Sequence, residues 1–326
     1  MRHRFPAGAF LGVLLSLLLP AGASTQTIFP SRPVTVIVPF AAGGSTDVIA
    51  RVVADAMRAA LGQPVVIDNR GGAGGSIGTA AIAKAAPDGY VIGMGTASTL
   101  AINPAAYKSL PYNVVDDLEP VGLIAQVPNV VTINPKVPAK TVAELVALAK
   151  AQPGKLAYGS AGNGSVSHLM GEQFKLATGT DITHVPYRGV GPALSDAVGG
   201  QIQILFDNLS TSLPLIQDGK LRALAVSSPQ RLAVLPDVPT FAELGLNDLD
   251  WMAFFGLVAP AKTPKPVIDK LNAALKEALA DPHVRETLAR QQAKPEPGAP
   301  EDFAALIHQQ FERMKRAVLA AKIEVN

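Results

Sequence analysis

The sequence predicts an α/β protein of two lobes that face each other across a cleft. Short β-branched segments alternate with segments of helical periodicity in two successive units. An apolar segment at residues 251–259 follows the second unit and is predicted to return to the first. Ligands of such sheets bind at the carboxyl ends of the strands, so two lobes that meet there form a closing cleft.

The first unit has the order strand, helix, strand, helix, strand. Residues 34–39 (VTVIVP) are short and β-branched, and residues 47–61 carry apolar side chains at helical spacing up to Gly62. Ser45 or Thr46 is predicted to cap this helix. The other predicted elements are strands at 65–68 and 90–95 and a helix at 79–86. This βαβαβ order predicts a parallel sheet with helices on both faces.

The second unit follows residues 121–133, which are predicted to form one long strand that crosses between the lobes. Thr141 and Glu144 form a capping-box pattern that opens a helix through Ala151. Further strands are predicted at 156–159, 182–186, 202–206 and 221–226, helices at 165–177 and 192–199, and C-terminal helices at 267–279, 282–292 and 301–322. The predicted boundaries are 24–124 and 251–326 for lobe 1 and 125–250 for lobe 2.

The N-terminal segment predicts export. Arg2 and Arg4 precede an apolar stretch at residues 10–19, which is too short to span a hydrocarbon core of about 30 Å. Pro20 ends the stretch, and Ala21-Gly22-Ala23 offers the small residues that signal peptidase cleaves after. We therefore expect a signal peptide at 1–23, a mature chain from Ser24 and a periplasmic location. A membrane anchor is the alternative.

Composition excludes several classes of function. The chain has 28 Lys and Arg against 26 Asp and Glu, and loss of Arg2 and Arg4 leaves 26 of each. A neutral mature chain argues against a nucleic-acid partner, which requires a basic face. Without cysteine there is no disulfide, thiolate nucleophile or sulfur metal site, and the five histidines are scattered without metal-ligand spacing. We expect no metal and no cofactor.

The loop after the first strand is the first candidate for a ligand site. Gly43 and Gly44 allow a turn with outward N–H groups. Ser45 and Thr46 add hydroxyls at a helix N-terminus, where the partial positive charge favours a carboxylate. An ordinary strand–helix turn is the alternative. The candidate residues here are Phe40, Gly43, Gly44, Ser45, Thr46 and Asp47.

A similar loop in the second unit follows the strand at 156–159. Small residues again allow donors to approach a ligand, and two helix N-termini from two lobes could hold one carboxylate without an arginine. The candidates are Ser160, Ala161, Gly162, Asn163, Ser165 and His168, of which His168 could instead pack within the protein or cap the helix.

Other strand ends add further candidates. Arg188 could pair with a second carboxylate, or it could hold a loop through a salt bridge. Asp207 could bind a ligand amine or a water, or cap the next helix. Phe254 and Phe255 belong to the return strand, whose alternation predicts that only one of them faces the cleft. The remaining strand-end candidates are Ser98, Thr99, Tyr187 and Gly189.

Several motifs resemble the Bug proteins, the TctC-type binding components of tripartite tricarboxylate transporters. They occur in the family's order along the mature chain: PSRPV at 30–34, VPFAAGGSTD at 38–47, NRGGAGG at 69–75, PDGY at 87–90, HVPYRG at 184–189 and LPDVPT at 235–240.

The resemblance implies a type II periplasmic-binding-protein (Venus-flytrap) fold and a chain that is a receptor, not an enzyme. It also implies a small carboxylate ligand, such as a di- or tricarboxylate, an amino acid or an aromatic acid, held largely by loop backbone groups and waters. The expected partners are one small and one large multi-spanning inner-membrane subunit, with the receptor itself a monomer.

Two other functions stay open at this point. A two-lobe receptor could serve an ABC-type transporter or a sensor kinase. Residues 74–78 also match the G-x-S-x-G pattern of serine hydrolases, with Ser76 as nucleophile. Against this, five residues separate the preceding strand from the motif, whereas a nucleophile elbow joins strand and helix directly. A dinucleotide site is disfavoured because Ile77 stands where the third glycine of G-x-G-x-x-G is needed.

Overall fold

The structure is a computed structural model that describes residues 1, 3 and 29–326. The predicted signal peptide and its cleavage site lie outside these residues, except for two isolated positions at its start. Within the described residues, no helix is both long enough and apolar enough to cross a bilayer.

Strands and helices alternate along most of the chain. The strands are β1 Val34–Val38, β2 Val65–Asn69, β3 Val91–Thr96, β4 Leu118–Val127, β5 Asn129–Ile133, β6 Ala157–Ser160, β7 Thr183–Pro186, β8 Ile204–Asn208, β9 Arg222–Val226, β10 Ala253–Pro260 and β11 Lys294–Pro295. The helices are α1 Ser45–Leu61, α2 Ser76–Ala83, α3 Asn103–Ala106, α4 Val142–Ala151, α5 Val166–Thr178, α6 Val190–Gly199, α7 Leu209–Gln217, α8 Lys265–Ala280, α9 Pro282–Arg290 and α10 Pro300–Ala320.

The strands form two sheets, one in each lobe. In lobe 1 the order is β11-β4-β10-β3-β1-β2. There β1 runs parallel to β2 and β3, as the βαβαβ pattern predicts, while β10 lies antiparallel between β3 and β4. In lobe 2 the order is β7-β6-β8-β5-β9, with β6 parallel to β7 and β8 and with β5 antiparallel to β8 and β9. The predicted two-lobe α/β fold is confirmed.

The chain passes between the lobes at Pro128. Residues 121–133 do not form one strand, because β4 ends at Val127 in the first sheet and β5 begins at Asn129 in the second. A proline has no N–H to donate to a ladder and therefore commonly stands at a break between strands. The chain returns between Val226 and Ala253, the end of β9 and the start of β10.

Helix α1 begins at Ser45, one residue earlier than it would if Ser45 were the N-cap. The N-cap is Gly44, with no side-chain cap, so the prediction that Ser45 or Thr46 caps the helix is wrong. Ser45 is the first helical residue, and its hydroxyl points instead to the opposite lobe. The predicted C-terminal end is correct: Gly62 adopts a left-handed conformation (φ 67°) and its N–H bonds to the Arg58 carbonyl.

Asn129 connects the two crossings between the lobes. Its side chain is fully buried; Nδ2 donates to the Trp251 carbonyl at 2.6 Å, and Oδ1 accepts from Asn208 Nδ2 at 2.7 Å. Its backbone N–H donates to Ser227 Oγ at 2.7 Å. One amide thus ties the start of β5 to the end of β8 and to the chain that returns to lobe 1.

We expect Asn129→Ala to lower the free energy of unfolding by about 2 kcal/mol, because it leaves a buried carbonyl and a buried amide without partners. Urea denaturation followed by circular dichroism measures the change. Gln230→Ala, which removes an exposed amide side chain, is the control and should change little. A loss for Asn129→Ala no larger than that of the control would contradict this role.

Candidate functional site

A small cavity lies where the two lobes meet. Its volume is about 40 Å³, a few times the roughly 10–15 Å³ that a single water needs. The lining residues come from both lobes: Phe40, Gly44, Ser45, Thr46, Thr96, Ala97, Ser98, Ala161, Ser165, Val166, Ser167, Val190, Asp207, Asn208, Ala253, Phe254 and Phe255. Hydroxyls, backbone and aromatic rings of both lobes therefore enclose the cavity.

The lobe 1 wall is built by the loop from β1 to α1. Gly44 is the N-cap of α1, and Ser45 and Thr46 begin its first turn, where backbone N–H groups have no partner within the helix. Ser45 Oγ donates to Asn208 Oδ1 of lobe 2 at 3.0 Å. The hydroxyl expected to cap the helix thus helps to close the cavity.

Asp47 and Gly43, both predicted site residues, lie behind this wall. Asp47 accepts from the Gly43 N–H at 3.0 Å and from Asn69 Nδ2 at 3.0 Å, and it pairs with Arg51 at 2.9 Å. Burial raises the pKa of Asp47, but the hydrogen bonds from Arg51, Gly43 and Asn69 bring it below the ordinary 3.8. Asp47 therefore holds the loop in shape and does not line the cavity.

The lobe 2 wall is built by the loop from β6 to α5. Ser165 is the N-cap of α5 and accepts from the His168 N–H at 3.3 Å, while Ser167 Oγ accepts from the Ala161 N–H at 2.9 Å. The Val166 N–H donates across the lobes to Ser98 Oγ at 3.0 Å. The N-termini of α1 and α5 therefore border the same cavity from opposite lobes, and the partial positive charge of both favours an anion there.

A pair of stacked histidines supports the lobe 2 loop from behind. The rings of His168 and His184 lie 4.2 Å apart between centroids. His184 Nε2 is 2.6 Å from Ser160 Oγ, and His168 Nδ1 accepts from the Gly164 N–H at 3.2 Å. Because Ser160 Oγ also accepts from the Gly162 N–H, it has its proton to donate to His184. The predicted site residues Ser160 and His168 thus hold the loop and do not line the cavity.

Both histidines are kept neutral. Burial lowers the pKa of His184 from 6.5 to about 3, helped by the neighbouring His168 and by Lys175. Burial also lowers the pKa of His168, against a partial offset from Glu172. A proton on either acceptor nitrogen would remove its bond to the loop.

Asp207 lies in the cavity wall and is 2 % exposed. Its Oδ2 accepts from Thr211 Oγ1 at 2.7 Å and from Ser212 Oγ at 2.6 Å, both in the first turns of α7. Burial raises the pKa of Asp207 to about 6, although these hydroxyls oppose the rise.

The two lobes approach each other so closely that backbone meets backbone. A Cβ added at Gly191 would lie 2.5 Å from the Ala42 carbonyl oxygen, and one at Gly162 would lie 2.9 Å from the Gly74 nitrogen. A Cβ at Gly74 would collide with the Asn163 carbonyl oxygen. We call the glycines at this contact the closure seam: Gly71, Gly74, Gly162, Gly189 and Gly191.

The loop at residues 187–189 belongs to the closure seam and not to the cavity. The Arg188 carbonyl accepts from the Ala41 N–H of lobe 1 at 3.3 Å, while its exposed side chain borders a separate surface depression. Within the described residues the Arg188 guanidinium makes no ion pair. Tyr187 donates to Asp196 Oδ2 at 2.7 Å, and burial together with that carboxylate raises its pKa to about 12.

Of the other predicted residues, Asn163 also contacts lobe 1 outside the cavity. Its carbonyl accepts from Tyr107 Oη at 3.0 Å, and the same hydroxyl lies 2.7 Å from the Ala73 carbonyl. Thr99 is fully buried within lobe 1, where its hydroxyl accepts from the Thr96 N–H at 3.1 Å. Phe40, Gly44, Ser45, Thr46, Ser98, Ala161, Ser165 and Asp207 are the predicted residues that line the cavity.

Some lining residues were missed in the sequence. Asn208 ends β8, which was predicted to stop two residues earlier, at 206. Phe254 and Phe255 are both lining residues, whereas alternation predicts that the side chain of only one of them faces the cleft. The ring of Phe254 packs against Phe303 of α10, with the two centroids 5.9 Å apart, and strand β10 has a register shift against β4 between Phe255 and Gly256. Thr96 opens the TAST segment that follows the third predicted strand, and Val190 carried no distinguishing pattern.

The hydrolase hypothesis gains no support from the geometry. Ser76 is buried at the start of α2, and within the described residues no histidine side chain forms a hydrogen bond with its hydroxyl. The same part of the chain holds no group of three or more His, Cys, Asp or Glu side chains that could bind a metal ion.

Comparison with known proteins points to one family. The family model described as tripartite tricarboxylate transporter family receptor matches residues 49–323. A protein from the TAR-I ttuE-ttuC' intergenic region of Agrobacterium vitis is 44% identical over 284 residues, which cover 86% of this chain and 81% of that one. Protein BugT of Bordetella pertussis is 40% identical over 306 residues, 94% of each chain.

Solved structures agree in fold. A periplasmic transporter structure superposes with a TM-score of 0.89 at 49% identity, covering 91% of this chain and all of that one. A protein of R. palustris, solved with adipate, has a TM-score of 0.87 at 36% identity and 91% and 99% coverage. MatC of Rhodopseudomonas palustris, solved with bound malate, has a TM-score of 0.86 at 36% identity and 89% and 100% coverage.

The histidine pair predicts a loss of stability in acid. A histidine whose pKa is lowered on folding binds a proton more readily when unfolded, so its contribution is present above pH 6.5 and is lost as the pH falls toward 3. Asp207 acts in the opposite sense: its raised pKa favours the folded state as the pH falls through about 6 toward 3.8.

His184→Gln separates the two effects, because the glutamine carbonyl can still accept from Ser160 but cannot titrate. We expect thermal midpoints from pH 7 to pH 4 to fall less steeply for His184→Gln than for the wild type. His283→Gln, at an exposed histidine of α9, should follow the wild type. Parallel curves for the wild type and His184→Gln would show that the pair is not proton-sensitive.

Proposed function

This chain belongs to the tripartite tricarboxylate transporter receptor family, and on that premise we propose that it captures a small carboxylate in the periplasm and delivers it to a membrane transporter. The observation that carries the proposal is the pair of helix N-termini, from α1 and α5, that border one cavity from opposite lobes. Unpartnered N–H groups and hydroxyls there suit a carboxylate and need no arginine.

The cavity chemistry supports an acid ligand of small size. Six hydroxyl side chains line the wall, and no Lys, Arg or His does so among the described residues. A volume of about 40 Å³ suits a compact skeleton better than a bulky one. Two family members with the same fold were solved with dicarboxylates, malate and adipate, which supports that ligand class for this chain as well.

Capture proceeds by closure of one lobe on the other. In the open state the acid meets the first turn of α1, at Gly44, Ser45 and Thr46. Closure then brings Ser98, Ala161 and Ser165 against it, and the ligand contacts made only in the closed state shift the population toward that state. Gly43, Asp47, Thr99, Ser160, Gly162, Asn163, His168, Tyr187, Arg188 and Gly189 act behind this first layer, by shaping the loops or by joining the lobes.

Delivery requires export and a membrane partner. The proposed signal peptide is cleaved after Ala23, and the mature chain works as a periplasmic monomer. One small and one large multi-spanning subunit of the inner membrane receive the closed receptor. The closed arrangement of the two lobes is the shape that they recognise.

A thermal-shift screen of the mature chain, refolded from denaturant to remove bound ligand, tests the ligand class. At about 100 times its dissociation constant, a binding acid adds about 2.7 kcal/mol of stability and raises the midpoint. Ser45→Val should abolish the shift, because it removes a hydroxyl from the cavity wall. Ser195→Val, at an exposed serine of α6, is the control. Shifts with sugars or amines alone would contradict the proposal.

Gly191→Ala tests closure. Its methyl group would meet the Ala42 carbonyl only when the lobes are closed, and overpacking of this kind typically costs about 1–3 kcal/mol. We expect an affinity about 5- to 150-fold weaker for the acid identified in the screen, measured by isothermal titration calorimetry. Gly199→Ala, in the same helix and with no atom within 4 Å of the added Cβ, should bind normally. Equal affinities for the two variants would mean that tight closure is not needed.

A further inference from the structure

One ionisable residue lines the cavity, and it is an acid. Asp207 is the single Asp, Glu, Lys, Arg or His among the described residues that line the wall. For a protein that binds anions this is unexpected, since a carboxylate beside a carboxylate is repelled.

Asp207 has no cationic partner to neutralise it. Within residues 29–326 no lysine or arginine forms a salt bridge with it. Its two side-chain donors, Thr211 and Ser212, both bond to Oδ2, and the Asn208 N–H is a further backbone donor beside the carboxylate. A buried carboxylate with spare accepting capacity is expensive unless a further donor reaches it.

The anion-binding end of the cavity is close to this carboxylate. Ser45 Oγ, in the first turn of α1, lies 3.5 Å from Thr211 Oγ1, and Thr211 Oγ1 lies 2.7 Å from Asp207 Oδ2. Two hydroxyls therefore bridge the α1 N-terminus to Asp207. A molecule whose carboxylate meets α1 needs only a short carbon skeleton to present a second group to Asp207.

We propose that Asp207 is a specificity-determining residue that accepts a hydrogen bond from a hydroxyl or ammonium group of the ligand, so that the protein selects hydroxy or amino acids over unsubstituted acids. This inference rests on the proposed carboxylate-binding function and specifies its substrate class. Burial, which raises the pKa of Asp207 to about 6, supports it, because a bound donor would stabilise the ionised form.

Asp207 is not a helix cap, contrary to one of the two roles expected from the sequence. A capping side chain accepts from free backbone N–H groups of the first turn, whereas the N-cap of α7 is Asn208, without a side-chain cap, and the side-chain donors to Asp207 are the hydroxyls of Thr211 and Ser212. Asp207 instead forms part of the wall between the two lobes, beside Asn208, which receives the hydrogen bond from Ser45.

Matched acids test the inference. Succinate, malate and aspartate share one skeleton and differ by hydrogen, hydroxyl and ammonium at one carbon; glutarate, 2-hydroxyglutarate and glutamate repeat the comparison with one more carbon. Isothermal titration of the refolded mature chain, with both enantiomers of each substituted acid, should give at least one substituted acid that binds about tenfold or more tightly than its unsubstituted parent.

Asp207→Asn should reduce this preference to within about threefold. Its amide oxygen can still accept from Thr211 and Ser212, but its Nδ2 then takes the place of Oδ1 and can only donate. Asp218→Asn, the same exchange at an exposed aspartate that follows α7, is the control and should keep the preference. Circular dichroism and the unliganded thermal midpoint establish that each variant is folded.

Different outcomes would overturn the role of Asp207 and the proposed capture of a carboxylate. Equal affinities of the wild type for parent and substituted acids, or an unchanged preference in Asp207→Asn, would overturn the role of Asp207 while leaving carboxylate capture intact. Should Asp207→Asn fail to fold, the wild-type comparison of parent and substituted acids decides alone. Absence of binding by every acid would overturn the proposed function itself.

Discussion

The close approach of backbone to backbone at the closure seam is the constraint on which the rest of the structure depends. Side chains between the lobes would hold them apart and leave the helix N-termini in water, where a charge is strongly screened. With glycine at Gly74 and Gly162, carbonyl and N–H groups of one lobe come into direct contact with those of the other. The cavity is small because this contact is close.

The electrostatics of the site follow from that enclosure. Since the lobes exclude water, the partial charges of two helix ends act at short range in a medium of low polarity, and they do not need a full positive charge to attract an acid. The neutral histidine pair fits the same scheme, because each ring serves as an acceptor that fixes a loop donor. The charged side chains of Asp47 and Arg51 form an ion pair behind the cavity wall. They hold the loop in shape but do not line the cavity.

Sequence periodicity predicted the parallel part of the first sheet, the course of α1 to Gly62 and the return of β10, because these elements depend on local patterns of apolar side chains. It was harder to predict which candidate residues line the cavity and which ones join the lobes. Ser45 looks like a helix cap in sequence, but its partner Asn208 is 163 residues away, and no local rule identifies such a pair. Arg188 attracts attention by its charge, yet its main-chain carbonyl is what joins the lobes. The break at Pro128 and the irregularity at Phe255 likewise depend on the neighbouring strands.

The bridge made by Tyr107 also bears on how a bound molecule leaves. Its single hydroxyl lies within hydrogen-bond distance of Ala73 in lobe 1 and of Asn163 in lobe 2, and Tyr107 is not among the residues that line the cavity. Separation of the two lobes therefore breaks the contact with Asn163, whatever contacts the ligand itself makes. Residence time becomes a property of the protein, and a membrane partner that separates Tyr107 from Asn163 would empty the receptor without competing for a single ligand contact.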